Sequence, residues 1–151
     1  MHRLADGGPL RLGGIDVPCG VHLVGHSDAD VLLHAITDAI LGAVAAGDIG
    51  ELFPDSDPSH RGRDSAEMLR AACQRMLAAG YQIANLDCIV HAERPKLSPH
   101  KPAVRRRIAE ILDIRLEQVG LQAKTGEGVG AVGAGATIVA QCAALLEKRC
   151  P

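Results

Sequence analysis

The residues best suited to chemistry lie in one run, His26-Ser27-Asp28-Ala29-Asp30, followed by His34 and Asp38. Asp30, His34 and Asp38 stand four residues apart, so on a helix they share a face. A neutral imidazole there can ligate Zn²⁺ while a carboxylate fixes its other ring nitrogen. Two carboxylates and an imidazole on an otherwise apolar helix are costly to bury unless they are paired or metal-bound. The same residues also read as a capped helix start with one satisfied core histidine.

Three further runs carry polar groups among glycines and prolines. In residues 47–58 glycines allow close backbone approach, and Asp48 could accept hydrogen bonds from a sugar diol; the run reads equally as a solvated acidic turn. In residues 92–100, Lys96 precedes Ser98-Pro99, which looks like the capped start of a helix. A lysine beside orphan N–H groups makes a phosphate site, or it is a surface lysine next to a cap. In residues 123–130, Thr125 offers a hydroxyl and Glu127 could hold a hard cation such as Mg²⁺; the alternative is a Gly-rich hairpin with an exposed acid. Residues and spacing alone indicate an α+β domain with a metal-and-phosphate site.

The elements that must position these runs follow from periodicity and turn residues. Residues 10–18 predict a short hairpin around Gly13-Gly14. Residues 30–46 predict a helix with little polar face, hence mostly buried, and residues 47–62 a long loop. Asp64 caps a helix whose inward face is Met68, Leu69, Ala72, Met76 and Leu77, ended by Gly80. A strand at 82–92 precedes a helix starting at Ser98-Pro99 and running to about residue 112, with Val104, Ile108 and Ile111 inward. Strands at 119–124 and 136–147 flank a Gly-rich turn at 126–135. The pattern is α+β, a ferredoxin-like two-layer domain with a mixed sheet and helices on one face.

Composition narrows the function classes. A chain of 151 residues is the size of one domain. Its net charge of −2 lacks the basic excess of nucleic-acid binders. With Tyr81, Phe53 and no Trp there is no platform for stacking bases. Five cysteines, an odd number with no C-x-x-C, suggest reduced thiols in a cytosolic protein. The start of the chain lacks the apolar stretch of a signal peptide. The most apolar segment, broken by His34 and Asp38, is too short and polar to span a bilayer. The expectation is a cytoplasmic protein without membrane or nucleic-acid partners.

The four runs, HSDADVLLHAITDAILGA at 26–43, GDIGELFPDSDP at 47–58, ERPKLSPH at 93–100 and AKTGEGVG at 123–130, together resemble the 2-C-methyl-D-erythritol 2,4-cyclodiphosphate synthase family, in its order and spacing, from about residue 2 to residue 147. The resemblance implies a cyclising phosphorus–oxygen lyase of the non-mevalonate isoprenoid precursor pathway. It converts 4-diphosphocytidyl-2-C-methyl-D-erythritol 2-phosphate into the 2,4-cyclodiphosphate and CMP. It implies a homotrimer with active sites between neighbouring subunits, in the bacterial cytosol or, after removal of a transit peptide, a plastid. It implies Zn²⁺ or another divalent transition metal on His2 and His34, and Mg²⁺ or Mn²⁺ on Glu127. His26 and Ser27 fall around the erythritol phosphate, Asp55 on the erythritol side, Asp48 and Gly50 at the ribose, and Ala92, Lys96, Leu97, Lys124 and Thr125 at the cytosine and phosphates, with Phe53 a further substrate-binding residue. Glu127, Thr125 and His26 are the residues implied at the reaction itself, and Asp38 is read as a group orienting the zinc histidine. The chemistry suits such a set: two unit charges 4 Å apart repel by about 4 kcal/mol at an effective dielectric of 20, so joining two phosphates calls for positioning and charge neutralisation.

Two departures qualify the resemblance. The family's first strand ends in Asp-x-His, its aspartate being a third zinc ligand; here that aspartate would precede Met1. Catalytic zinc usually has three protein ligands, so the expectation is a sequence cut short of its first strand, with a sheet edge or groove unfilled. The alternative is an impaired trimer that binds cytidine nucleotides without turnover. Gly133-Ala134-Gly135-Ala136 also replaces a sequence in which the family often has an arginine facing an isoprenoid-binding cavity on the trimer axis, so weak or absent isoprenoid binding is expected.

Overall fold

Asp30 explains how the first half of the chain is tied together. The computed structural model describes residues 1–149; Cys150, one of the five cysteines, lies outside them. Helix α1 (Val31–Ala43) begins at Asp30, whose carboxylate accepts from the N–H groups of Leu32 and Leu33. The same carboxylate takes the N–H groups of Gly13 at 2.9 Å and Gly14 at 2.7 Å, in the turn between β2 (Leu10–Leu12) and β3 (Ile15–Val17). Burial pushes the Asp30 carboxyl upward, and these backbone donors pull it back. Four donors satisfy a group whose unpaired burial would cost several kcal/mol. Gly13 needs its φ of +61°, and a Cβ there would collide with Val104. The expected hairpin is therefore present and latched to α1. Asp30 is consumed by this task and does not share a working face with His34.

The main sheet runs in the order β4 (Val21–Val24), β1 (His2–Asp6), β7 (Thr137–Lys148), β5 (Tyr81–His91), β6 (Val119–Lys124). Only β5 and β6 are parallel; the other pairings are antiparallel. Strand β1 sits between β4 and β7 but meets β7 only through His2 and Arg3, opposite Ile138 and Thr137. Among the described residues the rest of β7 therefore has no strand beside it on that edge, as the expected open groove requires. The α+β class and mixed sheet agree with expectation; the ferredoxin-like order does not. A ferredoxin-like sheet splits both of its βαβ units with an intervening strand. Here β1 and β5 are split by β7, but β5 and β6 are direct neighbours joined through α4 (Lys101–Leu112). The physical reason lies in β7: its 12 residues pair along most of β5, leaving only the other edge of β5 for β6.

Helices α1, α3 (Ser65–Ala78) and α4 pack against one face of the sheet. Ile83, Leu86, Cys88, Val90 and Ile138 point into this layer and are buried, against Leu32, Leu33, Ile36, Ile40, Leu69 and Ile108. Each such side chain contributes roughly 1.5–3 kcal/mol on burial. The opposite face carries Asp87, Gln141, Ala143 and Leu145, all exposed, with Leu145 at 62%.

Four local features differ from expectation. Helix α4 starts after His100, without a side-chain cap, and its early proline is Pro102; Ser98 and Pro99 lie in the preceding turn. That turn is closed by Leu97, whose carbonyl accepts from His100 and Lys101. Leu77 is 41% exposed rather than inward. The loop at 47–62 contains a one-turn helix α2 (Ile49–Leu52) and a 3₁₀ turn Pro58–His60, because Asp48 and Asp57 each cap the turn that follows. The Gly-rich turn likewise holds a short helix α5 (Gly130–Gly133). Glycines are required there because Cβ atoms at Gly126 and Gly133 would strike the facing backbone. At the sheet's edge, Arg105 of α4 donates to the carbonyls of Val119 at 2.7 Å and Leu116 at 3.0 Å, fastening the helix to the start of β6. No described helix is long and apolar enough to cross a membrane.

Candidate active site

Strand β1 and helix α1 bring His2 and His34 together. His2 Nε2 lies 3.1 Å from His34 Nδ1, and the rings meet edge to face. Two nitrogens each 2.0–2.1 Å from one tetrahedral ion stand about 3.3 Å apart, so the pair already has nearly the spacing of two ligands on one metal. Burial, aided by mutual repulsion between the rings, lowers the pKa of His2 to about 4, and burial lowers that of His34 as well. Both imidazoles are therefore neutral near pH 7, as metal ligation requires. Among the described residues no group of three or more His, Cys, Asp or Glu side chains is placed to hold a metal; the histidines supply two donors.

The pair opens into a cavity of about 440 Å³ lined by His26, Ser27, Gly50, Phe53 and Asp55, a volume suited to a small ligand. Ser27 Oγ stands 3.2 Å from His34 Nε2. Phe53 packs edge to face on His60, and the Arg63 guanidinium lies 5.1 Å over its ring. Asp38 does not orient His34; its carboxylate accepts from Ile49 N–H at 2.8 Å, which anchors the start of α2. Asp48, the cap of α2, accepts from Glu51 N–H and remains exposed beside Gly50.

A second group forms where the end of β6 meets the end of β5. Ala92 N–H donates to the Lys124 carbonyl at 2.9 Å. Thr125 Oγ1 donates to the Glu127 carboxylate, and Gly126 N–H donates to Glu93. Glu127 takes a left-handed backbone, φ 49°. Ala92 and Leu97 are buried, whereas Lys96, Lys124, Thr125 and Glu127 are exposed. None of this group lines the histidine cavity.

The YgbB family model matches residues 1–147. A 2-C-methyl-D-erythritol 2,4-cyclodiphosphate synthase of Rhodopirellula baltica is 52% identical over 148 residues, covering 98% of this chain and 89% of that protein. A solved synthase of the same name superposes with a TM-score of 0.89 at 40% identity, over 97% of this chain and 95% of the other. A form of that structure described as bound to CDP also superposes at 0.89, with 38% identity and the same coverage. This chain belongs to the YgbB family. Its relatives are cyclodiphosphate synthases, enzymes of the lyase class, as the four sequence runs led one to expect, and no observation favours an impaired homologue.

Of the residues expected in a YgbB-family site, the fold gathers His2, His26, Ser27, His34, Gly50, Phe53 and Asp55 around one cavity. It sets Ala92, Lys96, Leu97, Lys124, Thr125 and Glu127 in a separate group within the subunit. Sequence reasoning missed Ser65, whose hydroxyl lies 2.8 Å from His34 Nε2; as the first residue of α3 it carried no signal beyond helix initiation. Asp28 was noted without a task, yet it accepts from both the hydroxyl and the N–H of Ser65. His60, a further lining residue, sat in a stretch read only as loop.

Proposed function

We propose that this chain cyclises 4-diphosphocytidyl-2-C-methyl-D-erythritol 2-phosphate to 2-C-methyl-D-erythritol 2,4-cyclodiphosphate with release of CMP. The observation that carries the reading is the neutral His2–His34 pair, at metal-ligand spacing, opening into a cavity with polar and apolar walls. An oxygen of the 2-phosphate attacks the β-phosphorus, the bond from that phosphorus to the oxygen bridging to the α-phosphate breaks, and CMP departs with that oxygen. His2 and His34 hold Zn²⁺ or another divalent transition metal, and Glu127 holds Mg²⁺ or Mn²⁺; bound cations offset the phosphate charges and polarise phosphoryl oxygens. His26, Ser27, Phe53 and Asp55 position the methylerythritol phosphate, and Asp48 and Gly50 the ribose. Ala92, Lys96, Leu97, Lys124 and Thr125 hold the cytosine and phosphates, and Glu127, Thr125 and His26 stand at the reaction itself. The protein's own contribution is alignment and charge neutralisation, as in other phosphoryl transfers.

The separation of the two groups within one subunit supports a homotrimer, in which the histidine cavity of one copy meets the Lys96–Glu127 group of its neighbour. The exposed sheet face with Leu145 is a surface for such packing. CMP release from the diphosphocytidyl substrate, with and without chelator, tests the activity; metal-independent release or none overturns it. Light scattering on a sizing column tests assembly, and a monomer that turns over at full rate overturns the shared site.

A further inference from the structure

Two side chains in sequence, Ser65 and Asp28, connect to His34 on the side away from His2. Its Nε2 lies 2.8 Å from Ser65 Oγ, and the Ser65 hydroxyl in turn donates to the Asp28 carboxylate. Ser65 is fully buried, and its backbone N–H holds the other Asp28 oxygen at 3.1 Å. Asp28 receives Asp30 N–H at 3.2 Å and lies 3.8 Å from Arg11 Nε. The proton count decides the roles. An ionised carboxylate only accepts, so the single hydroxyl proton of Ser65 is committed to Asp28. Ser65 Oγ can then only accept from His34. At 2.8 Å it is nearer to Nε2 than Ser27 Oγ, which stands 3.2 Å away, takes Ala29 N–H and has a lone pair left to accept as well. This places the imidazole proton on Nε2. The lone pair of neutral His34 is left on Nδ1, the atom that faces His2.

We propose that Ser65, held by Asp28, is the positioning residue that makes His34 a metal ligand through Nδ1, fixing both the tautomer and the ring plane. The inference rests on the reading of the His2–His34 pair as a metal site. A ligating histidine usually gives its other ring N–H to a carboxylate, a backbone carbonyl or water; here a buried hydroxyl takes that place and links the ring to a carboxylate one hydrogen bond further on. A serine at the first position of α3 thereby ties that helix to the metal-binding face of α1, 31 residues earlier in the chain.

The test combines two measurements on the full chain. In metal-free protein, long-range proton–nitrogen NMR of the imidazoles, with His34 assigned through His34→Gln, should show the Nε2–H tautomer. Ser65→Ala should give a mixture, and a dominant Nδ1–H form in the unsubstituted protein overturns the proposal. Zinc affinity, read by competition with a chromophoric chelator, should fall about 10- to 100-fold in Ser65→Ala. Asp28→Asn, which keeps an acceptor for the hydroxyl but removes the charge, should show a smaller loss and serves if Ser65→Ala fails to fold. A serine with a merely structural task would lower the melting temperature and leave zinc affinity unchanged, and that result overturns the proposal. If the unsubstituted chain binds no zinc, the metal reading beneath it falls; if it binds zinc and both variants bind equally well, the relay alone falls.

Discussion

The two halves of the candidate site are built differently. The histidine half is held by secondary structure: His2 on a central strand, His34 on a helix whose start is latched by Asp30, and Ser65 at the head of another helix. The lysine–glutamate half is held by turns, and its charged groups lie in water. The first half is organised before anything binds. The second presents exposed groups whose partners are the ligand and, in the assembly we propose, a neighbouring subunit. Binding energy in the first half therefore depends on interior hydrogen bonds, whereas in the second it depends on closing water out.

Several substitutions bear on that contrast. His34→Ala should have the largest effect, since removing a ligand removes charge stabilisation worth several kcal/mol. CMP release should drop by at least about a thousandfold, with zinc lost by metal analysis; retained turnover would remove the histidine pair from the chemistry. Glu127→Ala should lower turnover about a hundredfold or more while stability stays within about 0.5 kcal/mol, because the residue is exposed in a turn. Thermal unfolding beside the rate assay checks both parts, and a large fall in melting temperature would blur the distinction between the halves. Lys96→Ala should weaken CMP binding about 10- to 100-fold, the worth of a charge-assisted hydrogen bond at about 1.5–3 kcal/mol. Calorimetry giving equal affinities would take Lys96 out of the nucleotide pocket.

The smallest effect on the chemistry belongs to Asp30→Asn, which belongs to the interior of the first half. An amide NH₂ would face N–H donors where a carboxylate oxygen now accepts, so urea unfolding should show a loss of about 1–3 kcal/mol. CMP affinity of the folded fraction should be unchanged. A stable variant with weakened CMP binding would show that the latch serves the ligand rather than the fold.

Much of the site was legible in the sequence because its residues are local. The runs at 26–34 and 47–55 each keep their candidate residues within a few positions, and His26, Ser27, His34, Gly50, Phe53 and Asp55 line one cavity, whereas Asp48 and the run at 123–127 lie outside its lining. What escaped was contact across the fold. Asp30 looked like a partner of His34 by helical spacing, but two glycine N–H groups 16 and 17 residues earlier claim its carboxylate. Asp38 looked like the orienting group, yet it is occupied by Ile49 N–H. Ser65, which does touch His34, comes from another helix. Helix and strand positions followed from periodicity, except where a cap signal misled: Ser98-Pro99 has the composition of a helix start, but the backbone enters α4 only after His100. The order of strands had no local signature, since it depends on which edge of β5 the long last strand takes.

The Arg105 contact has a consequence for the protein's behaviour in a crowded solution. An edge strand with bare carbonyls is a template on which another chain can add a strand, the first step towards aggregation. Strand β6 is such an edge, and its first carbonyl already accepts from the half-buried Arg105 guanidinium, a contact that an incoming strand would have to break. Arg105 therefore acts as a guard against self-templating: Arg105→Met, which keeps the stem and removes the donors, exposes that template with little change in the folded core.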